Sequence, residues 1–363
     1  MSCLKRLQIT HLRNLEKVSL KLSPNINLFY GENGSGKTSL LEAISLLGLG
    51  RSFRSHKTRS LIHHQQPQLT VFGELNMDSI NTAVGLQKER SGNTVIRVDG
   101  ETAASAVILA QQLPLQIINA DSFQLIEGSP NQRRRFLDWM VFHVKPEFID
   151  VWRRLQRVIK QRNSALKHDK ITRLDLAPWD TEFVQLSMEI HRLRGSVFAE
   201  FKGLFSELQQ VFPSVATDVE VKYLPGWNSE EPFDELLQQD FERDKRDGYT
   251  HHGPQRAEIK LYASGKPAVD VLSRGQEKSL ICALHVIQAQ LYKEKTGKTC
   301  VFLVDDLLAE LDIHHAQRLT QWLKELGGQV FVTGVTKTGL IDAWKADNDI
   351  AMFHVEQGVI TEQ

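Results

Sequence analysis

The octapeptide Gly31-Glu32-Asn33-Gly34-Ser35-Gly36-Lys37-Thr38 fits the pattern G-x-x-x-x-G-K-[ST]. It follows the short apolar run Ile26–Tyr30 and opens a stretch of helical spacing from Ser39 to about Leu49. A strand, a glycine-rich turn and a helix in that order form a phosphate cradle. Glycine lets successive backbone N–H groups curl around phosphate oxygens, and the helix N-terminus adds partial positive charge. In such a loop Lys37 reaches the β- and γ-phosphates and the Thr38 hydroxyl binds Mg2+. The plainer reading is a glycine-rich strand–helix turn, but the position between strand and helix favours the cradle.

Far downstream, Cys300-Val301-Phe302-Leu303-Val304-Asp305-Asp306 is an apolar run ending in two carboxylates. A buried parallel strand reads this way, and α/β sheets bind ligands at the C-terminal ends of their strands. Asp305 would hold the Mg2+ shell and Asp306 would orient the attacking water. The alternative is a strand that ends in a solvated acidic turn. A third segment, Leu272-Ser273-Arg274-Gly275-Gln276, precedes a helix carrying Leu280, Ile281, Leu284, Ile287 and Leu291. By itself Ser273 reads best as an N-cap. With a phosphate loop elsewhere in the chain, Ser273 and the Gly275 amide also fit a second cradle, offered to a nucleotide held by another subunit.

Composition narrows the setting. The chain has 363 residues with 44 Lys+Arg against 44 Asp+Glu, which excludes a globally basic nucleic-acid binder. Its three cysteines, Cys3, Cys282 and Cys300, are too few and too scattered for a disulfide framework or a zinc set, so a reducing compartment is expected. No apolar run is long enough for a membrane span and the first residues alternate like a strand, so the cytoplasm is the expected address and no membrane is involved. Strand patterns fill the first third (Leu4–Leu12, Val18–Leu22, Leu69–Leu75, Ile80–Leu86, Thr94–Val98), with turn signals at Asp78-Ser79 and Ser91-Gly92-Asn93. From Asn131 to Phe212 the pattern is helical, without the sustained heptads of a coiled-coil arm. After Pro254 strands and helices alternate again: Ile259–Tyr262, Gln276–Lys295, the 300–304 run, His314–Glu325 and Gln329–Thr333. The expected fold is an α/β domain built from both ends of the chain, with a mainly helical insertion.

The phosphate loop, Leu272-Ser273-Arg274-Gly275-Gln276 and the distant Asp305-Asp306 strand, in that order along the chain, resemble ABC-type ATPase heads of the SMC/Rad50/RecF group. Leu12-Arg13-Asn14-Leu15, Gly50-Arg51-Ser52-Phe53-Arg54, Gly128-Ser129-Pro130 with Arg133–Asp138, and Thr250-His251-His252-Gly253-Pro254-Gln255-Arg256 narrow the resemblance to the RecF family, over about 3–335. The resemblance implies a P-loop ATPase head: lobe I, with mixed sheets and helices, from 1–128 and 250–363, and a helical lobe II from 129–249. It implies that ATP is bound by Gly31–Thr38 with Arg13 and Asn14. It also implies a homodimer formed on ATP, in which Ser273, Gly275 and Gln276 of one subunit meet the other's nucleotide. Lys37, Asp305, Asp306 and Ser273 would be the catalytic set. Glu310-Leu311-Asp312 matches the family's D-loop, though Asp312 equally suits an N-cap. No glutamine stands where such heads carry their Q-loop, so the third Mg2+ contact is placed at Asp121, beside Thr38 and Asp305. Thr333–Thr336 falls where a switch histidine is common; a threonine there can still hydrogen-bond a phosphate. Asp306 replaces the usual Glu, one methylene longer, and misplacement near 1 Å costs about 100-fold, so slow hydrolysis is expected. The implied partners are DNA at gaps and single-strand/double-strand junctions, RecR directly, and RecO and RecA functionally, in loading RecA. Two other readings stand beside this one: the ATP-binding subunit of a transporter, and a non-hydrolysing scaffold glued by ATP.

Net neutrality conceals local charge. Between Asn131 and Arg173 twelve basic residues face four carboxylates, and Arg51, Arg54, Lys57 and Arg59 form a second cluster. Arg51, Arg54, Lys57, Arg133, Arg134 and Arg135 are the candidate DNA contacts, through backbone phosphates and not base sequence. A solvated helix face is the plain alternative, and Arg133–Arg135 also suit a structural role at the lobe junction. Residues 230–247 are acidic and read as a solvated helix. His251-His252 lacks a carboxylate or cysteine at ligand spacing, which argues against zinc.

Overall fold

The computed structural model describes residues 2–55, 57–77, 80–211, 218–344 and 350–363. The Asp78-Ser79 turn and the helix end expected at Phe212 lie outside them. In chain order the strands are β1 (Ser2–Leu12), β2 (Leu15–Lys21), β3 (Ile26–Tyr30), β4 (Gln68–Met77), β5 (Ile80–Glu89), β6 (Thr94–Val98), β7 (Glu101–Thr102), β8 (Leu115–Ile118), β9 (Val219–Leu224), β10 (Glu258–Ala263), β11 (Lys266–Pro267), β12 (Val301–Val304), β13 (Val330–Gly334), β14 (Ile350–Glu356) and β15 (Val359–Glu362). Two compact units share the chain: Met1–Ser122 with Ile281–Gln363, and Phe123–Leu280.

The first unit holds two sheets. One, of order β2-β1-β4-β5-β6-β7, is antiparallel throughout. The other, of order β15-β14-β3-β13-β12-β8, is parallel from β14 to β8. Its central strands are apolar on both faces, as double-sided burial requires: every residue of β12 and β13 is buried. The helix Lys37–Leu49 packs against strands of both sheets, and its residues 39–48 are all buried. That explains its apolar character on every side. Phe29, Phe331 and Phe353 stack on adjacent strands, with Phe29 and Phe353 4.8 Å apart at 10°. The segment from 350 onward, for which the sequence suggests no element, supplies the neighbour of the phosphate-loop strand.

The second unit joins helices Pro130–Val144, Phe148–Leu166 and Arg173–Val211 to the antiparallel sheet β11-β10-β9. β10 pairs with β9 from Glu258↔Leu224 to Ala263↔Val219. The segment expected to return to the ATPase lobe after 249 is therefore held within the second unit as far as Leu280. Its interior is pinned by ions. Arg162, fully buried, donates to Asp180 and Asp244 at 2.7 Å each and to Thr250 at 2.8 Å. Arg194, also fully buried, meets both oxygens of Asp138 at 2.8 and 3.0 Å. His251 faces Asp244 and Asp247 through its two ring nitrogens, and His252 faces Asp240. Carboxylates do stand at these histidines, contrary to the spacing argument, because the left-handed Gly248 ending the helix Phe241–Asp247 turns the chain back so that His251 meets Asp244 and Asp247.

Candidate nucleotide-binding site

Strands β3, β13 and β12 are parallel neighbours, so Tyr30, Gly334 and Val304 end at one edge of the sheet. The phosphate loop leaves β3 there and the two carboxylates follow β12. Thr333, buried on the intervening β13, joins them. Its hydroxyl donates to Asp305 Oδ1 at 2.7 Å and accepts from the Asp306 N–H at 2.7 Å. The Thr38 hydroxyl donates to the same Oδ1 at 3.0 Å. Burial pushes the Asp305 carboxyl above its ordinary value and Asp306 adds to this, while the Thr333 and Thr38 hydroxyls and Arg54 oppose it. Lys37 is buried too, donating to the carbonyls of Gly31 (2.7 Å) and Glu32 (2.8 Å). Burial lowers its ammonium below the usual range, against the pull of Asp306 and Asp305. A hydroxyl and a carboxylate oxygen side by side at a phosphate loop suit a hard, oxygen-seeking cation such as Mg2+.

The loop is braced from two sides. Asn14 Nδ2 donates to the Ser35 carbonyl at 3.0 Å, and its Oδ1 accepts from Ser39 at 3.0 Å. The Gly358 N–H, from the β14–β15 turn, donates to the same Ser35 carbonyl at 2.8 Å. The approach is so close that a Cβ on Gly31 would collide with the Val355 carbonyl, and one on Gly358 with the Asn14 carbonyl. A cleft of about 590 Å³ opens over this floor and collects Arg13, Asn14, Asn33, Gly34, Gly36, Lys37, Thr38, Arg54, Asp305, Asp306 and Thr333. Ser39, Ser60, Ile62, His63 and His64 complete its wall; no motif marks the last four in the sequence.

Other expected residues fall elsewhere. Asp121 is exposed in the turn Ala120–Phe123 and is not part of the cleft wall, so Asp305 and Thr38 stand without it. In the second unit Ser273 and Gln276 form a reciprocal cap. The Ser273 N–H donates to Gln276 Oε1 at 2.9 Å, and the Gln276 N–H approaches Ser273 Oγ at 3.4 Å. The N-cap reading of Ser273 therefore holds, and the residue is also exposed, as is Gly275. Asp312 caps its helix through the N–H groups of His314 and His315. Arg133 bonds Glu258 and the Gly128 carbonyl, and Arg134 bonds the Ala257 carbonyl. These two serve the interior of their unit, and of the three only Arg135 is exposed. Arg51, Arg54 and Lys57 are exposed in the first unit.

The RecF/RecN/SMC N-terminal domain family matches residues 3–361. The DNA replication and repair protein RecF of Cellvibrio japonicus is 47% identical over 361 residues, covering 99% of both chains. That of a Pseudomonas aeruginosa strain is 45% identical over 360 residues, covering 99% of this chain and 97% of its own. Among solved structures, the recombination mediator protein RecF-ATP of the RecFOR pathway superposes with a TM-score of 0.88 at 25% identity, covering 100% of this chain and 98% of that one. The Smc head domain of Pyrococcus furiosus, solved with the C-terminal domain of ScpA, gives 0.59 at 17% identity, covering 100% of this chain and 96% of that one, a likeness of fold alone.

Proposed function

The chain belongs to the RecF family, and from that premise we propose an ATP-binding and slowly hydrolysing protein of DNA repair that dimerises on ATP and holds gapped or junction DNA. The observation that carries the reading is the pair of hydroxyls, Thr38 and Thr333, converging on one oxygen of Asp305 at the mouth of the phosphate loop. Gly31–Thr38 would hold the triphosphate, and Thr38 with Asp305 would hold Mg2+, which supplies charge neutralisation when bound. Asp306 would orient water. The exposed Ser273 and the Gly275 amide would cap the partner's γ-phosphate, closing the dimer. RecR, and through it RecO and RecA, are the partners that follow from the family.

For DNA the exposed residues count, not Arg133 or Arg134. Arg51, Arg54, Lys57 and Arg135 remain. The solvent face of the helix Phe148–Leu166 adds Arg153, Arg157 and Lys160, spaced i, i+4, i+7 on one side. Neutralising those three lowers the slope of log affinity against log salt by about 3 if each meets a phosphate.

Sedimentation with ATP, ADP or no nucleotide, with and without gapped DNA, tests the whole reading. Dimers are expected with ATP alone or ATP with DNA. Lys37→Arg weakens nucleotide binding, whereas Ser273→Arg keeps binding and abolishes dimers, since its defect lies across the interface. Dimers that survive Ser273→Arg would refute the arrangement. Dimer lifetimes equal in ATP and a non-hydrolysable analogue would favour the scaffold, and the lack of salt-sensitive DNA binding by the purified chain would favour the transporter subunit.

A further inference from the structure

Glu42 lies on the second turn of the helix that follows the phosphate loop and is fully buried. A carboxylate inside an apolar run (Leu40, Leu41, Ala43 and Ile44 surround it) needs compensating donors. It has them on both oxygens. Oε1 accepts from Arg13 Nη2 at 2.9 Å and from Ser52 Oγ at 2.5 Å. Oε2 accepts from Arg13 Nε at 3.0 Å and lies 3.7 Å from Arg54 Nη1.

The donors come from two segments that wall the cleft. Arg13 occupies the turn between β1 and β2 in a left-handed conformation (φ 54°), and its Nη1 donates to the Ser60 carbonyl at 2.7 Å. Ser52 in turn accepts from the N–H groups of Arg54 and Ser55 at 3.0 and 3.1 Å. Arg13, Arg54 and Ser60 all line the cleft, while Glu42 does not. The Arg54 charge already reaches the Asp305 carboxyl, whose proton affinity it lowers. One buried carboxylate thus holds two cationic side chains and Ser52 beside the nucleotide cleft.

We infer that Glu42 is a positioning residue for nucleotide binding: it touches no ligand, but it fixes Arg13 and Arg54 where a polyphosphate anion meets them. This rests on the nucleotide reading of the cleft. In E42Q the amide keeps the shape, yet its NH2 group turns a donor toward guanidinium donors, so Arg13 loses its two-oxygen anchor while Arg54, 3.7 Å away, loses only a distant counter-charge.

The test is titration of the full chain with a fluorescent ATP analogue and Mg2+, well below the thermal midpoint of each variant. Loss of one charge-assisted contact to the anion lowers affinity about tenfold, which is the fall expected for E42Q. R13Q alone is expected to fall by a similar factor, but R13Q added to E42Q by less than about twofold, because the two act as one unit. E42D keeps the charge one methylene short and is expected to recover to within about threefold of wild type. A general weakening of the fold would lower thermal midpoints without this non-additivity or this rescue. Wild-type affinity in E42Q, or losses that simply add, overturns the inference. Should E42Q not fold, R13Q decides alone: wild-type affinity in R13Q leaves Glu42 no ligand-facing cation to position and overturns it. If the unaltered chain does not bind the analogue, the nucleotide reading itself falls, an outcome distinct from wild-type and E42Q chains that bind equally.

Discussion

Thr333→Val removes one oxygen and changes almost nothing else in volume, so its effect is calculable. The hydroxyl makes two bonds in a fully buried position, donating to Asp305 Oδ1 and accepting from the Asp306 N–H. A hydrogen bond to a charged group contributes about 1.5–3 kcal/mol, and a buried donor left without an acceptor costs about 1–3 kcal/mol. Valine leaves no cavity, so the loss is about 3–5 kcal/mol, or two to four decades in the opening equilibrium of β13 at about 1.4 kcal/mol per decade. Hydrogen exchange of the peptide 330–334, followed by mass spectrometry on the full chain, reads this locally. The loss also has a pH signature. Burial holds the Asp305 carboxyl above 3.8, and Thr333 is the largest of the influences lowering it. Without that hydroxyl the carboxyl rises further. The native state then keeps a proton that the unfolded chain gives up, so stability falls as pH rises through the window above 3.8. The variant's deficit is therefore full at about pH 8 and shrinks toward about pH 4, protection factors being normalised to intrinsic rates. A deficit below about 1 kcal/mol, or one identical at both pH values, would refute the role assigned to this hydroxyl.

The companion change Asp305→Asn should do the reverse to stability. Both hydroxyls donate to Oδ1, which asparagine retains, while the buried charge disappears. The thermal midpoint rises at neutral pH, the advantage closes as pH falls toward 3.8, and ATP hydrolysis is lost. Gly358→Ala places a Cβ against the Asn14 carbonyl at φ +84°. A loss of about 1–3 kcal/mol is expected together with weaker nucleotide binding, measured by thermal melts and titration. In the second unit, Asp244→Asn strips a carboxylate that Arg162 and His251 both contact at 2.7 Å. Breaking such a buried pair costs about 3–5 kcal/mol, with the titrated nucleotide affinity unchanged below the melting range.

Much of this site is legible in the chain because its chemistry needs particular residues at particular spacings. The phosphate loop and the Val301–Asp306 run identify themselves. β12 is visible as an unbroken apolar run and β13 through the apolar Val330–Val332, since strands buried on both faces cannot alternate. What escapes is what depends on distant contact. Ile350–Glu362 carries no motif, yet it flanks β3 and braces Ser35. β9 and β10 pair across more than thirty residues of intervening chain, which local pattern does not encode. Arg133 and Arg134 look like a phosphate-binding cluster from charge alone, and only their carbonyl and Glu258 partners show them to be internal. Glu42 did leave a signal, a lone acid within Leu-Leu-Glu-Ala-Ile, the mark of a buried charge awaiting a cation that the sequence does not place beside it.

At Asp306 the backbone and the side chain are constrained together. The residue sits at φ 53°, ψ 51°, the left-handed region, with its N–H committed to Thr333. That conformation costs about 1–2 kcal/mol for most L-residues and less for Asp and Asn, whose short polar side chains bond locally. A glutamate at 306 would gain reach toward an attacking water but would bear that backbone cost in full. The shorter acid is thus the one the turn accepts, a physical reason for the slow hydrolysis proposed above. The series Asp306→Asn, →Gly and →Glu separates the two demands. Asn and Gly should match or exceed the wild-type thermal midpoint, and Glu should lower it, losing about 1 kcal/mol of stability. In hydrolysis the order differs: Asn and Gly should lose turnover while ATP-dependent dimers persist and lengthen in lifetime, since the phosphate cradle is untouched. Wild-type turnover in Asp306→Asn would remove the carboxylate from the chemistry. A Glu variant as stable as wild type would show that the turn, and not the water, had been misjudged.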